Sequence, residues 1–171
     1  MNRVAKFSKV SYEQFLNDWW ELYPEDDEIT VQEIYDHIKL PKRATSGSAG
    51  YDFFLPVSII LNPDETLLIP TGIRAEISEG WVLQIFPRSG LGFKHRIQLD
   101  NTVGIIDSDY FHADNEGHIK IKLTNDCKDE STCEVDEGKG VAQGIFLPFG
   151  ITDDDEADGV RTGGFGSTDR S

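Results

Sequence analysis

A chain of 171 residues has room for one domain with a substantial core and too little for two ordinary ones. Its 31 acidic residues against 16 basic ones give a formal charge of −15, which argues against a nucleic-acid binder, since such affinity rests on Lys and Arg meeting phosphates. No basic start with an apolar run and a cleavage site opens the chain and no stretch approaches a membrane span, so the expectation is a cytoplasmic protein without a membrane partner.

Residues 11–38 carry a helical pattern. Tyr12, Phe15, Leu16, Trp19, Trp20 and Tyr23 recur at the spacing of one apolar helix face, with Ser11 and Gln14 as a capping box and Pro24 near the end of the pattern. Thr30 and Glu33 form a second capping box ahead of Ile34, Tyr35 and Ile38, so two short helices are expected. Both tryptophans are expected to pack this extension on its own or a neighbouring barrel, because so apolar a face would not stay exposed.

From Leu40 onward the pattern turns to short extended runs between turn residues: YDFFLPVSIIL, TLLIPTGIRAEI, WVLQIFP, HIKIKLT and VAQGIFLPF. Ile119, Ile121 and Leu123 alternate with Lys120 and Lys122, as a half-buried strand does. Cys127 and Cys133 fall in the polar run NDCKDESTCEVDEGKG and are expected as free thiols on a loop, a hairpin disulfide or shared metal being the other options. After Ile151 the chain is acidic (DDDEAD) and then glycine-rich (RTGGFGSTDRS), with little to bury. The division expected is a helical extension over 1–39, a β body over 40–150 and a C-terminal arm over 151–171.

Three segments carry groups suited to phosphate chemistry. In the arm, glycines at 163, 164 and 166 let backbone N–H groups approach an anion, Arg161, Ser167 and Thr168 add donors, and Phe165 offers a stacking face; a plain Gly-rich terminus fits the same residues. PRSGLGFKH (87–95) brings Arg88, Ser89, Gly90 and Gly92 without the pattern of a nucleotide P-loop, and a turn with a surface Arg fits it as well. NTVGIIDSDY (101–110) places Asp107 after the apolar pair Ile105 and Ile106, where a carboxylate could take a proton from water or simply make a polar turn.

Taken in order, AGYDFF (49–54), PRSGLG (87–92), NTVGIIDSDY (101–110), GKGVAQGIF (138–146) and RTGGFGST (161–168) resemble the five ordered motifs of the trimeric deoxyuridine triphosphatase (dUTPase) family. The resemblance runs from about LPKRATSGSAGYD to the C-terminus, and PTGI and EGWV between the motifs also look like the family. It implies an all-β, jelly-roll-like β-barrel that forms a homotrimer, with active sites at subunit interfaces. The implied reaction is hydrolysis of dUTP to dUMP and pyrophosphate, which keeps uracil out of DNA and supplies dUMP for thymidylate synthesis.

By the same resemblance, Asp107 activates water for attack on the α-phosphorus and Gln143 helps hold that water. Tyr110 packs under deoxyribose, and Asn101, Gly104 and the strand near Lys120 read uracil. Arg88, Ser89 and Gly90 hold phosphate, with Asp52 as a supporting carboxylate. From the arm, Phe165 stacks on uracil while Arg161, Gly166, Ser167 and Thr168 close on the β- and γ-phosphates. Mg²⁺ is implied as cofactor, held by the phosphates and water with no direct protein ligand.

The sequence departs from the family in three places. Gly140 stands where the fourth motif usually has Arg, with Lys139 beside it, so that the ion pair of that Arg is either missing or replaced by one from Lys139. FHADNEGHIK, after Tyr110, is longer than the usual turn, and its His112 and His118 are expected at the surface. The helices of residues 11–38 are not part of the family's usual core. The rival readings are a deoxycytidine triphosphate deaminase or bifunctional relative of the same fold, and a nucleotide-sensing, regulator-binding protein.

Overall fold

Alternation of apolar and polar side chains drives most of this chain into strands, because a strand sends successive side chains to opposite faces. The computed structural model describes residues 2–159 and residue 163. In chain order the elements are β1 (Ala5–Lys9), α1 (Tyr12–Trp20), α2 (Glu28–His37), β2 (Lys42–Arg43), β3 (Tyr51–Phe54), β4 (Ile59–Leu61) and β5 (Thr66–Ile77). Then come β6 (Trp81–Pro87), α3 (Ser89–His95), β7 (Ile97–Leu99), β8 (Gly104–Ile106), a 3₁₀ turn (Ser108–His112), β9 (Ile119–Asn125), β10 (Cys133–Val135) and β11 (Gly140–Pro148). No helix among the described residues is long and apolar enough to cross a membrane.

The strands form a four-stranded sheet in the order β1-β5-β9-β7, a five-stranded sheet in the order β2-β3-β11-β6-β8, and a two-stranded ribbon of β10 and β4. Every pairing is antiparallel. Ile119, Ile121 and Leu123 of β9 share one buried cluster with Phe53, Leu83, Ile85 and Ile106 of the other large sheet, so the two sheets enclose a common core. Phe7 on β1 spans them, its ring 5.7 Å from Phe53 and 5.5 Å from Phe146. This is the all-β, jelly-roll-like arrangement expected.

The N-terminal segment is more than a helical extension. Residues 5–9 form β1, paired along β5 from Ala5↔Ile77 to Lys9↔Ile73, so the two helices are an insertion between strands of the body. Sequence reading missed this strand because AKFSK carries little of the β-branched signal. α1 begins where expected, Ser11 Oγ accepting from the Gln14 N–H at 3.1 Å. Its reciprocal partner is Glu116, which accepts from the Ser11 N–H at 2.8 Å and from its hydroxyl at 2.6 Å. α2 starts earlier than Thr30 because Asp27 caps it, accepting from the Thr30 N–H at 2.8 Å.

Phe15, Trp19 and Val31 are almost wholly buried and belong to the same core as the strands. Each such side chain contributes roughly 1.5–3 kcal/mol by leaving water. Trp19 satisfies its indole N–H on Asp26 at 2.8 Å, whereas Trp20 stays 37% exposed and donates to the Asp26 carbonyl. Trp19 thus packs the helices on the chain's own barrel, and Trp20 does not. The cysteines are free, but both are buried rather than displayed on a loop, and Cys133 lies in β10 opposite Leu61.

Candidate active site

β11 runs through the middle of the five-stranded sheet and brings three of the sequence segments together. Gln143 pairs with Asp52 of β3 on one side and Phe86 of β6 on the other. Arg88, just past β6, sets its Nε 3.2 Å from the Asp52 carboxylate and reaches the Gly140 carbonyl at 3.4 Å. Gln143 donates to the Pro87 carbonyl at 3.3 Å. Ser89 and Gly90 follow Arg88 in exposed positions at the start of α3. That helix was not expected; PRSGLGFKH looks like a turn because of its two glycines.

The missing fourth-segment Arg has a steric explanation. A Cβ at Gly140 would lie 2.8 Å from Arg88 Nη1 and 3.1 Å from its Cδ, so the guanidinium of Arg88 occupies the space a side chain at 140 would need. Lys139 is exposed and makes no ion pair with a described residue.

The third segment builds a separate place. Asn101, Gly104 and Lys120 line a cavity of about 280 Å³ with Ile85, Leu99 and Ile106, close to the lower end of small-molecule pockets. Gly104 is buried, and a Cβ there would sit 3.2 Å from Ile85 Cβ. Thr102, beside Asn101, holds a left-handed φ of 66°, a costly conformation for a β-branched residue. Asp107 follows β8 and is exposed where the 3₁₀ turn begins, its carbonyl accepting from the Tyr110 N–H at 3.3 Å. A larger depression of about 870 Å³, lined by Arg43, Tyr51, Trp81 and Phe146 among others, holds none of the predicted residues.

One chain does not bring the two places together. Along β6, Leu83 pairs with Ile106 next to Asp107, whereas Pro87 pairs with Ala142 next to Gln143. Four residues of strand at roughly 3.3 Å each separate the levels by about 13 Å. Asp107 thus lies level with one end of β6 and Asp52, Arg88 and Gln143 toward the other, while the cavity meets β6 between them at Ile85, opposite Gly104.

Two placements differ from expectation. Tyr110 is 1% exposed, donating its hydroxyl to the His118 carbonyl at 2.8 Å and accepting from Asn115 at 2.9 Å, so its ring is enclosed by its own chain rather than open to a sugar. His118 is fully buried, not a surface residue, while His112 is exposed as expected. His118 Nε2 accepts from the Gly72 N–H at 2.8 Å, which leaves the proton on Nδ1, 2.5 Å from Asp18 Oδ2. The other Asp18 oxygen meets Lys120 Nζ at 2.7 Å. Burial alone would push the Asp18 carboxyl up, but hydrogen bonds from His118, Lys120 and Gln14 outweigh it and hold it at about 2. Sequence reading passed over Asp18 and Glu116; the one available signal was a carboxylate at position 18 beside the apolar pair Trp19 and Trp20. Arg161, Phe165, Gly166, Ser167 and Thr168 lie outside the described residues.

The dUTPase family model matches residues 36–169. The deoxyuridine 5'-triphosphate nucleotidohydrolase of Lactococcus lactis subsp. lactis is 43% identical over 134 residues, covering 77% of this chain and 88% of that one. The crystal structure of the dUTPase from Streptococcus mutans superposes with a TM-score of 0.63 at 32% identity, over 86% of this chain and 98% of that one. A mutant dUTPase from phage phi11 of S. aureus, which coordinates a structural Mg(II) ion, gives a TM-score of 0.62 at 19% identity over 92% and 98% of the chains, a likeness of fold alone. With the ordered motifs, the two-sheet body and this match over most of its length, the chain belongs to the dUTPase family.

Proposed function

We propose that this protein hydrolyses dUTP to dUMP and pyrophosphate, and that Asp107 is the base that activates the attacking water. The observation that carries the reading is the nucleobase-sized cavity of Asn101, Gly104 and Lys120 on the same segment as the exposed carboxylate of Asp107. A base bound there would leave its phosphates outside the cavity, where Asp107 can take a proton from water as that water attacks the α-phosphorus. The leaving group is then pyrophosphate.

Phosphate recognition falls to Arg88, Ser89 and Gly90, with Asp52 fixing the Arg88 guanidinium and Gln143 helping to hold the water. Because these residues stand about 13 Å along β6 from the level of Asp107 by strand geometry, a complete site draws them from a neighbouring subunit of a homotrimer. The arm closes the site, Phe165 stacking on the base and Arg161, Gly166, Ser167 and Thr168 meeting the outer phosphates. Tyr110, held by Asn115 and His118, supports the turn that carries Asp107.

The guanidinium, hydroxyl and amide groups present suit phosphate oxygens, and Asp52 is already engaged by Arg88. A Mg²⁺ ion therefore fits as one held by the triphosphate and water, and it supplies charge neutralisation when bound. This lets a chain of net charge −15 receive a polyanion. The division into a helical segment of 1–39, a barrel of 40–150 and a closing arm of 151–171 belongs to the same proposal, with β1 counted in the barrel.

The test is a panel of deoxyuridine, deoxycytidine, thymidine and uridine triphosphates, each with Mg²⁺ or chelator, assayed for pyrophosphate and ammonia. Pyrophosphate from dUTP alone is expected. Ammonia from dCTP, or preference for another nucleotide, overturns the assignment.

A further inference from the structure

We infer that helix α1 sets the shape of the nucleobase cavity, with Asp18 as a positioning residue that acts through Lys120. The inference rests on the reading of that cavity as the dUTP base site. α1 precedes residue 36, where the family match begins, and no part of the mechanism above uses it.

Three contacts tie α1 to the segment that walls the cavity. Glu116 holds its first turn through the Ser11 N–H and hydroxyl, at 2.8 and 2.6 Å. Asp18 accepts from His118 at 2.5 Å on Oδ2, which Gln14 of the same helix also meets, and from Lys120 at 2.7 Å on Oδ1. Glu21, on the next turn, places a second carboxylate 3.6 Å from Lys120 Nζ. His118 is locked from the other side by the Gly72 N–H, so β9 enters the cavity wall with its first residues fixed.

The consequence lies in where the Lys120 ammonium goes. Its neighbours in the cavity wall are mostly apolar, Leu68, Ile85, Leu99, Ile106 and Ile121, and the one carboxylate there, Asp100, is already paired with Lys122 at 2.9 Å, so a free ammonium would be poorly compensated. Asp18 and Glu21 draw the charge toward α1, and the methylene stem of Lys120 is left to form the wall. Without Asp18 the ammonium is released to swing across a space of about 280 Å³ and compete with the base.

Simple electrostatics predicts the opposite sign, which makes the test sharp. Removing a carboxylate near a polyanion's site should tighten binding, whereas losing the position of Lys120 should weaken it. In steady-state dUTP hydrolysis by the full chain, Asp18→Asn is expected to raise KM about tenfold, the scale of one hydrogen bond to a charged group, with kcat within about threefold of wild type. Glu21 is exposed, so Glu21→Lys leaves folding untouched; a cation set against Lys120 is expected to raise KM about threefold. In a Lys120→Met background, which keeps the stem and deletes the charge, Asp18→Asn should leave KM unchanged.

An unaltered or lowered KM in Glu21→Lys, or in folded Asp18→Asn, overturns the inference, as does a full Asp18 effect on top of Lys120→Met. If Asp18→Asn does not fold, Glu21→Lys decides alone. Wild-type protein inactive on dUTP would instead sink the functional reading, so the two failures are distinguishable.

Discussion

Asp18 Oδ2 lies 2.5 Å from Nδ1 of His118, joining residues 100 positions apart and fastening α1 to the barrel. Both side chains are nearly shut off from water, His118 at 0% and Asp18 at 7% exposure. A buried carboxylate in such a place must be fully partnered, and Gln14, His118 and Lys120 together supply that.

Acid stability should report this contact. Burial alone would raise the Asp18 carboxyl, yet its hydrogen-bond donors hold it at about 2, below the usual 3.8. A group depressed in the folded state contributes stability that is fully present above its unfolded value and lost as pH falls through the folded one. The window is thus from about pH 4 down to about pH 2, and the contribution is about 2 kcal/mol. Asp18→Asn should unfold more easily at neutral pH by that amount and lose less stability between pH 4 and 2, as read by urea titration at several pH values. An acid dependence identical to that of wild type would remove Asp18 from this role.

Gly140→Ala separates packing from function. The new Cβ would meet Arg88 Nη1 at 2.8 Å, the far end of a flexible side chain that can move aside. Stability should therefore change by less than about 1 kcal/mol. Because the displaced guanidinium is the one paired with Asp52 and assigned to phosphate, kcat/KM should drop about tenfold. A melting curve with steady-state kinetics checks both, and undiminished kcat/KM would show that the placement of Arg88 beside Gly140 is immaterial.

The proposed site draws Asp107 and Arg88 from different subunits, and subunit mixing tests that directly. Asp107→Asn and Arg88→Ala chains should each be nearly inactive alone. Unfolded together in equal amounts and refolded, they should recover about a quarter of the wild-type rate, since random assembly pairs an intact Asp107 with an intact neighbouring Arg88 at that frequency. A mixture no more active than its components would mean that each chain completes its own site.

How far the fold was legible in the sequence follows from the range of the interactions involved. The strand β9 was visible because Ile119, Ile121 and Leu123 alternate with lysines, and the start of α1 because Ser11 caps it locally. The start of α2 was misplaced because Asp27 and Thr30 are both plausible caps, and only the folded backbone chooses between them. The second partner of Ser11 is Glu116, 105 residues away, which no local pattern contains. The same holds for His118, whose surroundings in sequence are polar while its surroundings in space are Phe15, Gly72 and Asp18. For the site, motif order located Asp52, Arg88, Asn101, Gly104, Asp107 and Gln143, but strand register was needed to show that Asp107 stands apart from Asp52, Arg88 and Gln143 in one chain.

The most direct measurement compares wild type with Asp107→Asn on dUTP, following pyrophosphate release and, in parallel, nucleotide binding by calorimetry. If Asp107 is the base, release should fall about a thousandfold while the Kd for dUTP stays within about threefold of wild type. Pyrophosphate release by Asp107→Asn within about tenfold of the wild-type rate would contradict the account.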